Sequence, residues 1–485
     1  MDNSSIHSTQ PKRTVNETYM KKSTRRNFLR KTSLGVLTLA MGKSVLNCSL
    51  ENKTLKPNII FIMADDLGFG DLGCYGQKEI QTPHIDRIAR EGRRFTQCYA
   101  GSAVCAPSRN ALMTGQHMGH ATIRDNKPKT GGIPSPFKEQ SIRLPLKKED
   151  YTVAQMLKKA GYVTGITGKW GIGEANTEAT PNHKGFDEWL GYLNQDHAVY
   201  YYTDYLWKNQ EKMIINENQN EKKEKYVHDL FTDFSLDFIS RNKTKPFFLY
   251  CAFTIPHAKF EVPDLGIYAN KPWPENAKTF AAMVSYMDKS IGRIMSHLKD
   301  LGLDEKTIVF FCSDNGGTND PFRKIFNSSG GFKGTKGSLS EGGIRTPMLV
   351  RWPGRISPGK TDTETVWFFP DFMPTAADLA GLDCPASCDG VSVLPSILGK
   401  VQPELKKRFL YWEFPRRENY YQAVRLDNWK GIRKNLYVPF ELYDLNTDPA
   451  EQNNVADSHP DIIKKIETYV KSARIESPHW SSERR

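Results

Sequence analysis

Four apolar runs constrain this chain more than any other feature. They are "NIIFIMADD" (58–66), "YVTGITGKWG" (162–171), "PFFLYCAFTIPH" (246–257) and "TIVFFCSDNGG" (307–317). None alternates apolar and polar residues as a half-exposed strand does. Continuous runs of this kind mark strands buried on both faces of a parallel sheet. Amphipathic stretches lie between them. Pro83 opens one, with Ile85, Ile88 and Ala89 on one face and Gly92 as its stop. "TVAQMLKKAGY" is a second. A third follows Phe280, with Val284, Met287, Ile291, Ile294, Met295 and Leu298 at helical spacing. Strands alternating with helices predict an α/β fold, a large mostly parallel sheet sandwiched by helices.

Each of the four runs carries its polar residues at its C-terminal end: Asp65 and Asp66, Lys169, His257, and Asp314 with Asn315. In an open α/β sheet that edge binds ligands. A lone Asp-Asp pair reads more readily as a turn or a helix cap than as a metal site. Two such groups at two strand ends, both flanked by glycine, instead suggest hard oxygen ligands for Ca²⁺ or Mg²⁺. Arg109, Lys169, His257 and Lys336 add cationic donors. Lys336 lies in "GGFKGTKGSLSEGG", a glycine-rich loop suited to cradling a tetrahedral anion.

The stretch "GSAVCAPSRNALMTG" places Cys105 two residues before Pro107, which reads as the first helical residue, with Gly115 as the stop. Cys105 is thus expected at the N-terminus of a short helix, a setting that attracts anions. A free cysteine is also what the count suggests. Seven cysteines follow Cys48, an odd number for an exported chain. Cys251 and Cys312 sit in core runs. Cys384 and Cys388 are spaced for a disulfide and lack a second pair for a zinc site.

The first 50 residues hold nine Lys/Arg against two Asp/Glu, so they supply most of the formal net charge of +12. Nucleic acid is therefore a poor partner for the remainder, whose modest positive excess suits an anionic substrate. Within this leader, basic residues precede the apolar run Leu34–Met41, too short to cross a bilayer. "STRRNFL" looks like a twin-arginine export signal. Cys48 stands where a lipoprotein cysteine would, although Asn47 before it is not the usual small residue. A periplasmic or cell-surface protein is expected, with a lipid anchor at Cys48 as an option.

After about residue 365 the pattern changes. "FLYWEF", "YYQAVRL", "WKGIRK" and "FELYDL" read as short strands and "DIIKKIETYVKSAR" as a closing helix. The expected organisation is a leader over 1–50, a catalytic α/β domain over 51–365 and a small antiparallel α+β subdomain over 366–485. The charge-rich segment 207–228 reads as an exposed loop. The segment 182–210, with Trp189, Tyr192, Gln195, Asp196, Tyr201 and Trp207, suits sugar stacking and hydroxyl recognition.

At this point the chain resembles a family. Cys105-Ala106-Pro107-Ser108-Arg109 is similar to the C-x-P-S-R signature of the type I, formylglycine-dependent sulfatases, of alkaline-phosphatase-like fold. "MADDLGFGDLGCYG", "GKWG", "IPHAKF", "SDNGG" and "KGTKGSLSEGGIRTP" follow the family order, and the likeness runs over roughly residues 55–475. It implies a sulfuric ester hydrolase resembling the arylsulfatase-like enzymes that desulfate carbohydrates. Cys105 would be oxidised to formylglycine by a formylglycine-generating enzyme before export. Its hydrated form would attack sulfur, give a sulfo-enzyme intermediate, and expel sulfate. Asp65, Asp66, Cys105, Asp314 and Asn315 would bind Ca²⁺, or Mg²⁺ in its place. Arg109 would assist attack, and His257 and Lys336, with Lys169, would bind substrate on the leaving side.

One departure stands out. The family usually has a histidine after "GKW", where this chain has Gly171. His183 and His197 are the nearest replacements, and His197 is the expected one, with Gln195 and Asp196 beside it as substrate contacts. Similarity to the glycine-bearing subgroup suggests a sulfated glycan substrate carrying 4-O-sulfated galactose or N-acetylgalactosamine. The alternative is a phosphomonoester or phosphonate hydrolase of the same superfamily. The oxygen-donor ligands and the cysteine argue against it, because the two-zinc phosphatases use histidine ligands and a hydroxyl nucleophile.

Overall fold

The four apolar runs become four adjacent strands at the centre of one large sheet. The computed structural model describes residues 56–416 and 419–481. In chain order its main-sheet strands are β1 (Asn58–Ala64), β2 (Arg93–Tyr99), β3 (Val163–Lys169), β4 (Glu188–Tyr192), β5 (Tyr205–Lys208) and β6 (Glu211–Ile214). They continue as β7 (Phe247–Ala252), β8 (Thr307–Ser313), β9 (Arg345–Arg351), β10 (Lys360–Asp362) and β11 (Trp367–Phe368). The spatial order is β10-β2-β9-β8-β1-β7-β3-β4-β5-β6, with β11 also paired to β2. Strands β8, β1, β7, β3 and β4 run parallel to one another. Strand β9 is antiparallel to both its neighbours, β8 and β2.

The side chains of β1 show why no alternation was visible in the sequence. Ile59, Phe61 and Met63 join an apolar cluster on one face, while Ile60, Ile62 and Ala64 join the cluster on the other. Helices α1 (Pro83–Glu91), α4 (Val227–Arg241) and α5 (Glu275–Asp300) cover the second face. Helices α2 (Cys105–Thr114), α3 (Val153–Lys159) and α6 (Phe372–Ala380) cover the first. Helix α5 buries Val284, Met287, Ile291, Ile294 and Leu298 completely, as its spacing predicted. Each such side chain contributes roughly 1.5–3 kcal/mol by leaving water. Thr152 caps α3 through a reciprocal bond with Gln155.

A second sheet follows. Strands β12 (Phe409–Phe414), β13 (Tyr421–Leu426), β14 (Trp429–Arg433) and β15 (Glu441–Asp444) form an antiparallel meander in chain order, covered by α7 (Pro460–Val470). Buried ion pairs fix this sheet to the main one. Lys430 lies 2.8 Å from Glu341 and 2.9 Å from Glu451, all three fully buried or nearly so. The described residues form one compact unit. None of their helices is long and apolar enough to cross a membrane.

Two local expectations are corrected. Residues 207–228 are not simply loop: β5 and β6 form a hairpin that extends the sheet edge. Most of its exposed positions are charged, Lys208, Glu211 and Lys212, as edge strands often are, with Ile214 the exposed apolar one. Helix α2 starts at Cys105 rather than Pro107, with Val104 as its cap. Proline is tolerated anywhere in the first turn, where its missing N–H has no helical partner. The seven cysteines among the described residues, Cys384 and Cys388 included, are free thiols. The leader and Cys48 lie outside the described residues.

Candidate active site

Strands β8, β1, β7 and β3 are neighbours, so their C-terminal ends deliver Asp314 and Asn315, Asp65 and Asp66, His257 and Lys169 to one place. Gly168 makes the last turn of β3 possible. It takes φ +96°, and a Cβ there would lie 2.0 Å from the Ala252 carbonyl oxygen. Lys169 Nζ then reaches Asp65 Oδ2 at 2.6 Å. Lys336 arrives from the glycine-rich loop and pairs with Asp66 Oδ2 at 2.7 Å. His257 Nε2 stands 3.4 Å from the same oxygen. Asp66 itself adopts φ +63°, uncommon outside glycine and tolerated by aspartate.

Helix α2 threads the C-x-P-S-R string into this cluster. Ser108 donates from Oγ to the Asp314 carbonyl oxygen at 2.6 Å. Arg109 is completely buried. Its Nε and Nη2 donate to Asp314 Oδ2 at 3.1 and 2.9 Å, Nη2 also to Asp65 Oδ2 at 3.3 Å, and Nη1 to the Lys169 carbonyl oxygen. Asp65, Cys105 and Asp314 present ligand atoms within 4.8 Å of one another, as do Asp65, Asp66 and His257.

Burial sets the electrostatics, and the cations answer it. Burial alone would raise the Asp65 carboxyl, but Lys169, with His257, Arg109 and Lys336, holds it well below the usual range. Asp66 is also lowered; burial opposes this and Lys336 and His257 cause it. Asp314 is pushed up to about 7 by burial and the Asp65 carboxylate, against the pull of Arg109.

The donor set fits a hard cation. Asp65 Oδ1 and Asn315 Oδ1 are buried and have no hydrogen-bond partner. Buried oxygens of this kind are costly unless something binds them. Carboxylate and amide oxygens are the ligands of Ca²⁺ and Mg²⁺.

Two carboxamides clasp residue 105. Gln195 Oε1 lies 3.2 Å from Cys105 Sγ. Asn126 lies on its other side, with Nδ2 3.5 Å from Sγ and Oδ1 accepting from the Ala106 N–H at 3.0 Å. Gln195 Nε2 donates to the Gly171 carbonyl oxygen at 2.9 Å. A Cβ at Gly171 would lie 2.6 Å from that nitrogen. Gln195 therefore fills the room that a side chain at Gly171 would claim.

The structure does not bring His197 to the cluster. Its ring stacks on Phe137 at 4.2 Å and packs against Tyr192 and Tyr205. Nε2 bonds Thr203 Oγ1 at 2.8 Å, and Nδ1 has no partner. Burial pushes its pKa down to about 3. The aromatic neighbours that suggested a cleft are a core. His183 is occupied too, its Nδ1 2.8 Å from Thr180 Oγ1. Asp196 is turned to Arg143 and Ser141 instead of the nucleophile. Trp189, Tyr192 and Tyr201 are buried and offer no sugar platform. Asn126 was missed, because nothing in "IRDNKP" separates it from an ordinary loop residue.

Residues 57–382 match the Sulfatase family, and residues 335–476 match the N-sulphoglucosamine sulphohydrolase C-terminal family. The chain belongs to the sulfatase family. It is 34% identical over 361 residues to N-acetylgalactosamine-6-sulfatase of Canis lupus familiaris, an alignment spanning 71% of this chain and 66% of that one. It is 30% identical over 503 residues to N-acetylgalactosamine-6-O-sulfatase of Bacteroides thetaiotaomicron, spanning 86% of this chain and 93% of that one. The crystal structure of Ps i-CgsB superposes with a TM-score of 0.74 at 28% identity, covering 88% of this chain and 95% of that one. Ps i-CgsB is also solved in complex with k-i-k-neocarrahexaose. The alkaline-phosphatase-like architecture expected from the sequence is the one observed. The C-terminal match begins at residue 335 and so takes in Lys336, consistent with a second sheet pinned beneath that loop by Lys430.

Proposed function

We propose that this sulfatase-family chain hydrolyses the sulfate esters of sulfated sugars, with residue 105 as nucleophile after conversion to formylglycine. The observation that carries this reading is the meeting of Cys105, the open oxygens of Asp65 and Asn315, the cationic Arg109, Lys169 and Lys336, and His257 at one sheet edge. When in place, the hydrated aldehyde supplies an attacking hydroxyl and the divalent cation neutralises sulfuryl oxygens. The chain's own residues do the rest. Arg109 holds Asp314 and Asp65 in register at the base of helix α2. Lys169 and Lys336 offset the charge that develops on the sulfuryl group. Lys336 and His257, which both approach Asp66 Oδ2, are placed to give a proton to the departing sugar oxygen. Gln195 and Asn126 fix the orientation of residue 105.

The relatives bear the names of N-acetylgalactosamine-6-sulfatases, which supports reading the substrate as that sugar with its sulfate at position 6 rather than 4. Export to the periplasm or cell surface, by a route that carries folded and already modified chains, is part of this proposal. It rests on the twin-arginine-like leader.

The test is direct. Chain from the native host should show residue 105 lighter by one sulfur and two hydrogens and heavier by one oxygen. It should release sulfate from 4-nitrophenyl sulfate and from 6-O-sulfated N-acetylgalactosamine, and Cys105→Ala should abolish both. An intact thiol in active protein, or faster turnover of 4-nitrophenyl phosphate, would overturn the proposal.

A further inference from the structure

A cleft of about 630 Å³ opens beside the nucleophile, and its lining is unlike that of the catalytic cluster. Val104, Asn126 and Lys336 form its inner end. These are the helix cap before Cys105, the amide on Cys105 Sγ, and the lysine on Asp66. The cleft is therefore continuous with the reacting centre. Its outer walls come from two separate parts of the chain: Asp125–Lys129 on one side, and Pro415 and Arg416, just beyond strand β12 of the second sheet, on the other.

The charge of these walls is one-sided. Lys127 and Arg416 are exposed, and neither forms an ion pair among the described residues. The Arg416 guanidinium lies over Gly337, so close that a Cβ there would meet its Nη1. Lys129 stands 5.1 Å from the Tyr420 ring centroid and donates to the Ser481 carbonyl oxygen. The one acid in the lining among the described residues is Asp125. Its carboxyl accepts from the Asn126 N–H at 2.6 Å and is pushed up to about 7 by burial, against Arg416 and Arg143. It therefore cancels only part of the positive charge near neutral pH. Exposed cationic donors on both walls, without an ion-pair partner among the described residues, favour an anion that arrives with the ligand.

We propose that this cleft is a second anion subsite. Lys127 and Arg416 bind a sulfate or carboxylate on the sugar residue linked to the one that carries the scissile ester. The inference rests on the sulfatase reading and sharpens it: the preferred substrate is an oligosaccharide with at least two anionic groups, and the second sheet selects it through Arg416. Specificity of this kind is read at the leaving group, outside the catalytic cluster.

Two measurements separate this inference from the reading beneath it. The first is binding to the full chain carrying Cys105→Ala, by calorimetry. The probes are three disaccharides of 6-O-sulfated N-acetylgalactosamine, whose neighbouring residue is a uronate, an O-sulfated hexose, or a neutral hexose. An anionic neighbour should tighten binding about tenfold over the neutral one, and added salt should erode that gain. Lys127→Ala or Arg416→Ala should each remove most of it, and the doubly substituted chain all of it. The uronate and sulfate probes show which anion the pair prefers. The second is kcat/KM of the converted enzyme on the same disaccharides, where the ratio of anionic to neutral neighbour should collapse in the variants. Equal binding of all three probes overturns the subsite, as do variants that weaken all three alike. Turnover of the neutral disaccharide with no preference overturns the subsite alone. Binding with the predicted preference but no sulfate release overturns the catalytic reading and leaves the subsite standing.

Discussion

Gly171 and Gln195 should behave as one unit, and a double-mutant cycle can show it. Gly171 has φ +76°, and a Cβ there would sit 2.6 Å from Gln195 Nε2 and 3.6 Å from Arg109 Cδ. Gly171→Ala therefore has two costs. The left-handed backbone disfavours any Cβ by roughly 1–2 kcal/mol. Gln195 must also swing away, losing its bond to the Gly171 carbonyl oxygen, about 1 kcal/mol. Once displaced, its Oε1 no longer stands 3.2 Å from the position where Cys105 Sγ marks the reacting atom. Oε1 accepts, so what is lost is a neutral bond from the reacting hydroxyl, roughly 0.5–1.5 kcal/mol or a two- to tenfold loss of kcat/KM. Gln195→Ala should show that loss without the backbone strain. The paired variant should lose little more activity than Gln195→Ala alone, giving a coupling of about 1 kcal/mol. Sulfate release supplies the rates, and intact mass checks that residue 105 is equally converted in every variant. Thermal unfolding should place both Gly171→Ala chains below Gln195→Ala. Single effects that simply multiply, or a Gly171→Ala enzyme within twofold of the parent, would refute the reasoning.

Two further outcomes follow from the buried groups. Calcium, or magnesium in its place, should stabilise the folded chain by about 2.7 kcal/mol at a hundredfold excess over its dissociation constant. Chelation or Asn315→Ala should remove the gain in thermal unfolding, and a melting curve indifferent to both ions would contradict the site. His228 lies in the core against Phe253, Tyr226 and Tyr286 with neither ring nitrogen partnered, and burial pushes its pKa down to about 3 from 6.5. Its contribution to stability is complete above pH 6.5 and is lost as pH falls toward 3, because the unfolded chain takes up the proton first. The loss is about 2 kcal/mol by pH 5. His228→Phe should therefore flatten the decline of urea midpoints between pH 7 and pH 5, and an unchanged slope would count against the assignment.

The sequence disclosed the parts of this site that depend on strand ends and hid those that depend on loop paths. Asp65, Asp66, Lys169, Asp314 and Asn315 were legible because a buried parallel strand is a recognisable run and a polar residue at its end has few other reasons to be there. Lys336 was legible from its glycines. The path of 182–210 was not. Tyr192, Tyr201 and His197 look like a binding surface until Phe137, some 60 residues upstream, is seen stacked on the imidazole. Two residues before His197, Gln195 takes the place that the missing side chain at Gly171 leaves open. That exchange is a tertiary event between β3 and the loop after β4, and no local periodicity encodes it. The hairpin of β5 and β6 was hidden for a related reason, since an edge strand with mostly charged exposed positions lacks the apolar run that betrayed its neighbours.

The charge count explains why so many ionised groups can be buried together. Three acids, Asp65, Asp66 and Asp314, face Arg109, Lys169 and Lys336, so charges of opposite sign are paired within the cluster, with Asp314 pushed up to about 7 as the least ionised of the three. Burying either set alone would cost several kcal/mol per group. Yet Lys169 and Lys336 hold Oδ2 of Asp65 and of Asp66, while Asp65 Oδ1 and Asn315 Oδ1 remain open. A divalent cation held by those open oxygens would leave the site with an excess of positive charge that only an anion can offset. The same lysines that neutralise the carboxylates would then be freed to face that anion. Cation and anionic substrate should therefore favour one another's binding, each by the same factor, because linkage between two sites is reciprocal. A site arranged this way favours a metal and an anion together over either alone.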